Sequence, residues 1–402
     1  MQKLRQLCGG LIITLILLPA IAAAQSAVSG DIANTVREVQ QYNFAIHILA
    51  MLLVGFGFLM VFIKRYGYGA TTGTYLVLAV GIPLYLGLRA TGILSAEPVG
   101  AHTIKGLLLA EFAVASALIA MGAVLGRVRV YQYAILAAIL IPLYMVNERL
   151  VLDGGLGFTK GFTDTAGSII IHAFGAYFGI GLAVALTSKK HRGMEIPTDA
   201  ISDRFSMIGS MVLWLFWPSF CSAVAPMEQF ATTTVNTILA LCGATAATYV
   251  FSLIFRKGEI SISDMANAAL AGGVAIGATC NIVSAQLALL IGAVAGALCV
   301  FGYAIVQPMI LRAFKIVDTC GVHNLHGMPG LLGGLAAIFV IPGIAVAQLT
   351  GIVFTVAFAL IAGLAAGFVV RATGAKQIAY EDEEEFAVFE RRESIAFEEK
   401  TA

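Results

Sequence analysis

The sequence predicts an all-α integral membrane protein of eleven transmembrane helices, with spans one to five and six to ten forming an inverted repeat. Three observations carry this prediction. The 402 residues are 59% hydrophobic and only 12% charged, with a mean hydropathy of +0.91, far from the roughly one-quarter charged composition of a soluble domain. Apolar stretches long enough to cross a hydrocarbon core about 30 Å thick recur eleven times. The fifth and tenth of them share an Asp-Thr opening followed by glycine and then histidine.

Each element follows in chain order. Residues 1–24 place Lys3 and Arg5 before an apolar run, Leu11–Ile21, and the small residues Ala22, Ala23 and Ala24. That order is the order of a cleavable secretory signal, so the mature chain is expected to begin outside. The spans fall near 44–63, 71–94, 104–126, 131–150, 164–187, 205–225, 230–255, 262–282, 284–311, 317–341 and 346–370. Alternate connections are basic: Lys64 and Arg65, Arg127 and Arg129, Lys189 to Arg192, Arg256 and Lys257, Arg312 and Lys315, then Arg371 and Lys376. Basic loops stay on the cytoplasmic side, which puts the carboxyl end inside and agrees with an outside start and eleven crossings.

The transmembrane domain is expected over residues 25–375. Residues 376–402 form an acidic cytoplasmic tail with Glu381-Asp382-Glu383-Glu384-Glu385, read as a solvated segment. Glycine is frequent at 43 residues, and its helical spacing within spans indicates close backbone packing rather than phosphate loops. A net charge of +1 supplies no basic field for nucleic acid. The six cysteines are widely separated and indicate neither a disulfide framework nor a cysteine zinc site.

Ionisable residues inside a span are functional candidates by default because their burial is expensive. Here they are Glu111, Glu148, Asp164, His172, Asp318, His323 and His326. At 1.5 Å per residue, His172 lies about 12 Å along its helix from Asp164, well within the apolar core. His323 is expected to approach it from the opposed tenth span. Two neutral imidazoles hold complementary tautomers by sharing one proton, offering a small polar guest one acceptor and one donor. Asp164 and Asp318, at the first turns of their helices, are expected to cap orphan N–H groups.

The two segments Asp164-Thr-Ala-Gly-Ser-Ile-Ile-Ile-His172-Ala-Phe-Gly-Ala-Tyr-Phe-Gly179 and Asp318-Thr-Cys-Gly-Val-His323-Asn-Leu-His326-Gly-Met-Pro-Gly330 resemble the signature segments of Rh glycoproteins, within the ammonium transporter superfamily. Further segments resemble the same family: Ala110-Glu-Phe112-Ala-Val-Ala-Ser116, Asn147-Glu148, Leu213-Trp-Leu-Phe-Trp-Pro-Ser-Phe220 and Asn267-Ala-Ala-Leu-Ala-Gly-Gly273. Together they cover nearly all of 40–375, and the signal peptide suggests a bacterial member.

The resemblance implies an ammonia-conducting channel in the bacterial inner membrane, assembled as a homotrimer, with ammonium deprotonated at or before the pore and no cofactor or metal. It implies twin pore histidines at His172 and His323 with His326 in support. An outer gate falls at Phe112 and Phe220, pore-supporting aspartates at Asp164 and Asp318, and a vestibule acid at Glu148. Cys221 stands where the family usually has asparagine. Three other readings compete: a metalloenzyme using His172, His323 and His326, an ammonium sensor acting through its cytoplasmic face, and a pore for carbon dioxide.

Overall fold

The computed structural model describes residues 32, 34–94, 100 and 102–387. The expected signal peptide and the last part of the tail, 388–402, lie outside the described residues. Eleven helical segments follow the eleven predicted spans. They are α1 (Asn34–Phe62), α2 (Gly67–Thr91), α3 (Ile104–Ala123), α4 (Val130–Leu152), α5 (Ser168–Leu186), α6 (Ala200–Ser222), α7 (Met227–Phe255), α8 (Ile262–Ile276), α9 (Ala285–Phe314), α10 (His323–Gly327 running on into Met328–Val340) and α11 (Ala345–Ala372). Nine of them are long and apolar enough to cross a membrane on that criterion alone; α8 is shorter.

The bundle is arranged around α3, of which nearly every residue from Leu108 to Ala123 is buried, as an apolar helix surrounded on all sides must be. Small residues bring neighbours into backbone contact. A Cβ at Gly292 of α9 would collide with the Ala240 carbonyl of α7, the close approach that glycine permits between membrane helices.

The repeat is written into local geometry at the starts of α5 and α10. In both, a glycine three residues after the aspartate is left-handed: Gly167 at φ 79° and Gly321 at φ 69°, a conformation glycine adopts without strain. That turn returns the chain so the carboxylate can cap the helix. Asp164 Oδ2 accepts from the Ile169 and Ile170 N–H groups at 2.8 Å each, and Asp318 Oδ2 accepts from the His323 N–H at 3.0 Å. Both helices then open with a wide π turn, Ser168–Ala173 and His323–Gly327, a winding often found at functional positions. Each start is also tied to a neighbour by a glutamine. Gln348 of α11 bonds the Thr163 backbone N–H and carbonyl, while Gln307 of α9 bonds the Asp318 carbonyl and the Asn324 amide.

The described part of the acidic tail departs from expectation, because residues 376–387 are docked rather than solvated. Asp382 accepts from the Tyr68 and Gly69 N–H groups at 2.8 Å each, and Glu385 accepts from the Val130 N–H at 2.9 Å. The tail acids thus cap the starts of α2 and α4, where orphan N–H groups favour a carboxylate. Lys376 pairs with Glu385 at 2.6 Å and Arg129 with Glu384 at 3.0 Å. Composition alone described a soluble segment; the helix ends it meets supply donors that composition does not reveal.

Candidate functional site

The site lies where the π turns of α5 and α10 meet, and it is built around a histidine pair that differs from the expected one. His172 Nδ1 lies 3.2 Å from His326 Nδ1, with the rings 5.3 Å apart and nearly parallel at 10°. The expectation that His323 completes the pair is overturned. Register explains why: His172 follows Asp164 by eight residues and His326 follows Asp318 by eight, whereas His323 follows Asp318 by only five. His323 is the residue whose N–H the cap engages. Its ring turns instead to Tyr177, edge-on at 5.7 Å, so the three histidines do not converge on one point.

On one side of the pair the surroundings are aromatic. His172 stacks on Trp217 of α6 at 5.6 Å and 23°, and lies 6.0 Å from Phe220. Phe220 in turn meets Phe112 of α3 edge-to-face, centroids 4.6 Å apart at 72°, a favoured geometry for ring pairs. All three rings are buried. His172 Nε2 is buried with no hydrogen-bond partner among the described residues. The sequence reading placed Trp217 in the sixth span and assigned it no role. Its flat contact with Gly273, whose added Cβ would strike the indole, fixes that ring beside His172.

On the other side the pair opens into space. His326 stacks near Phe56 at 6.2 Å and lines a cavity of about 30 Å³ with Phe56, Leu59, Ile119 and Val322, enough for one or two water-sized molecules. Phe62, Asn267 and Cys320 belong both to this cavity and to a wider one of about 350 Å³, where Asp203, Ser206, Ser261, Ser263 and Gln307 provide polar walls. The rings and cavities therefore run in one sequence: Phe112, Phe220, His172, His326, the small cavity, the polar cavity.

Neutral side chains hold this line in place. Ser168 Oγ donates to the Val274 carbonyl of α8 at 2.7 Å and accepts from the Ala278 N–H at 2.9 Å. Ser116 of α3 donates to the Ile171 carbonyl beside His172 at 2.9 Å. Two other sequence candidates are buried acids. Glu148 accepts from Tyr85 at 3.0 Å and pairs with Arg89 at 3.2 Å, contacts that tie it to α2 rather than to Phe112 or Phe220. Glu111 is wholly buried, and neither of its oxygens has a hydrogen-bond partner among the described residues.

A pore needs a passage narrow enough to select and polar groups that exchange hydrogen bonds with what passes. The paired imidazoles are such groups. With one hydrogen between two facing Nδ1 atoms, at least one ring is unprotonated there, and each ring keeps a second nitrogen for a guest.

The family model described as Ammonium Transporter Family matches residues 8–390. Ammonium transporter Rh type A of Rattus norvegicus is 39% identical over 308 residues, covering 75% of this chain and 67% of that protein. The Bos taurus Rh type A protein is 35% identical over 378 residues, 89% of this chain and 86% of its own length. Among solved structures, Nitrosomonas europaea Rh50, described in connection with conduction by the Rhesus protein family of channels, is 59% identical with a TM-score of 0.87, covering 92% of this chain and 98% of that one. A structure described as a sensor Amt protein shares the fold at 18% identity and a TM-score of 0.76, covering 88% and 98%.

Proposed function

We propose, because this chain belongs to the Ammonium Transporter Family and to its Rh-type branch, that it conducts ammonia across the membrane, in either direction down its gradient. The observation that carries the reading is the buried line from the Phe112–Phe220 contact through His172 and His326 to the small cavity. Phe112 and Phe220 act as the gate. His172 and His326 serve as the twin histidines, with His323 to one side.

The charge of the cargo follows from the walls. Along this line, as far as the small cavity, lie aromatic rings, aliphatic side chains, two imidazoles, the Asn267 amide and the Cys320 thiol, and no carboxylate lines that cavity. A bare cation in such surroundings loses most of its hydration energy, whereas ammonia, with three N–H donors and one lone pair, exchanges hydrogen bonds with neutral imidazole nitrogens. Ammonium therefore leaves its proton behind at or before His172. The proposal also includes a homotrimer in a bacterial inner membrane with the carboxyl end cytoplasmic, consistent with the basic connections on one side.

The deciding experiment uses purified protein in liposomes under an ammonium gradient, recording internal pH and membrane current together. Fast internal alkalinisation without ammonium-dependent current is the expected result. A sustained inward current that scales with ammonium would overturn the neutral cargo.

A further inference from the structure

A third cavity, of about 540 Å³, lies apart from the His172–His326 pair, where the ends of α5 and α11 meet the docked tail. Three of the basic connections seen in the sequence converge on it. Its walls carry Arg127, Lys189, Lys190, Arg192, Arg371 and Lys376, and no acidic side chain is among its lining residues.

The simplest account of basic residues at helix carboxyl ends is compensation of the helix dipole. A helix end carries roughly half a negative charge, so the ends of α5 and α11, with that of α3 at the Ala123 carbonyl, offset about one and a half of the cations. Glu385 neutralises Lys376. Of the other described tail acids, Glu381 pairs with Arg65 and Glu384 with Arg129, Glu384 also accepting from the Gln377 N–H. Five cations therefore face a shared volume with about one and a half charges of compensation from the helix ends.

Arg127 makes the excess sharper because it is only 3% exposed, and each of its hydrogen bonds ends on a neutral oxygen. These are Thr319 Oγ1 and Thr187 Oγ1 at 3.1 Å each, and the Ala123 and Val317 carbonyls at 2.6 Å each. Asp318 is the carboxylate whose field reaches it. His191, also in the wall, registers the same field: burial first, then the Arg127 charge, with Lys190 adding to it, holds its imidazole below the usual range.

We propose that this cleft is a binding site for a phosphate-bearing anion, supplied by an anionic phospholipid headgroup or by a soluble phosphate. Arginine forks and lysine ammonium groups are the recognition chemistry such an anion requires, and basic pockets at the ends of membrane helices are suited to lipid headgroups. Lys189, Lys190 and Arg192 are exposed, and Lys190 already reaches across the cleft to the Gln377 carbonyl at 3.3 Å. Arg127 supplies fixed charge at the base, and residues 374–377, leading into the tail, form the facing wall.

The test uses the full chain in nanodiscs. In phosphatidylcholine discs, inorganic pyrophosphate is titrated; in a second series, phosphatidylglycerol replaces part of the lipid and retained lipid is counted by native mass spectrometry. Saturable binding of either probe is expected, weakened at least tenfold by Lys189→Glu/Lys190→Glu/Arg192→Glu. The milder Lys189→Gln/Lys190→Gln variant should give a smaller loss in the same direction. A reversal of equal charge at Lys64, Arg312 and Lys315 should leave binding unchanged. Binding of phosphatidylglycerol alone assigns the site to lipid, and binding of pyrophosphate assigns it to a soluble anion. Equal weakening by the control reversal, or no saturable binding of either probe, overturns the site. Ammonia flux need not change in any of these variants, so this outcome and that of the pore are separable.

Discussion

The His172 side and the His326 side of the pair are built from the same local device and are finished in opposite ways. Each begins with an aspartate cap, a left-handed glycine and a π turn. Beyond that, α5 places Ile169, Ile170 and Ile171 where α10 places His323, Asn324 and Leu325. The His172 side is closed by three aromatic rings and leaves Nε2 without a partner, whereas the His326 side opens to a cavity that continues into polar walls. A repeat therefore fixes where the two imidazoles sit, while the residues that differ between its halves decide what each one faces.

The largest effect should come from the pair itself. His172→Ala or His326→Ala is expected to cut ammonia flux in liposomes at least tenfold, a loss that needs only about 1.4 kcal/mol of added barrier. His323→Ala should stay within about twofold of the parent, since the cap engages its backbone rather than its ring. If His323→Ala matched the other two, the pairing seen here would not be the conducting one.

Next in size is the contrast between aromatic contacts on the two sides. Phe220→Ala should let a bulkier amine such as methylamine pass several-fold faster relative to ammonia, because it removes the ring that Phe112 closes against. Phe56→Ala, beside the open cavity, should leave that ratio unchanged. Flux assays with both amines read the difference directly.

The caps should separate in stability rather than flux. Asp164 accepts two backbone N–H bonds and Asp318 one. A buried group left unpaired costs about 1–3 kcal/mol, so Asp164→Ala is expected to lower the melting temperature more than Asp318→Ala. An Asp164→Ala variant that keeps its melting temperature but admits other cations would mean the carboxylate serves selection.

The smallest predicted effect lies in the tail. Burial raises the Asp382 carboxyl from 3.8 to about 6 when docked, against the backbone donors of Tyr68 and Gly69 that lower it. The docked form thus holds its proton more tightly than the free form. Its contribution is full below about pH 3.8 and is lost as the pH rises through about 6. Limited proteolysis of residues 376–387 should therefore be modestly slower at pH 5 than at pH 7. Equal rates, or faster cleavage at pH 5, would place the controlling charge elsewhere, with Glu385 on Lys376 the first alternative.

The eleven spans were legible because hydropathy and basic loops report directly on a bilayer. Asp164 and Asp318 were recognisable from their place at helix starts. The pairing was not, for a physical reason: the sequence offers two histidines three residues apart in α10, and a π turn winds more residues per turn than an α-helix, so the face each one takes is set by the capped turn before it. Trp217 looked like any aromatic of an apolar span until α8 placed Gly273 beneath it. The tail was misread because its acids are satisfied by the starts of α2 and α4, more than 250 residues away in sequence.

The facing Nδ1 atoms of His172 and His326 leave room for a single hydrogen between them. A neutral imidazole protonated at Nδ1 has a lone pair at Nε2, and one that accepts at Nδ1 carries its hydrogen at Nε2. The far ends of the pair are therefore always unlike, one a donor and one an acceptor, and they can exchange roles only together. The two rings form a polar unit with a head and a tail. Each reversal shifts one hydrogen at three points, so the pair can stand in either of two orientations and never in a symmetric one.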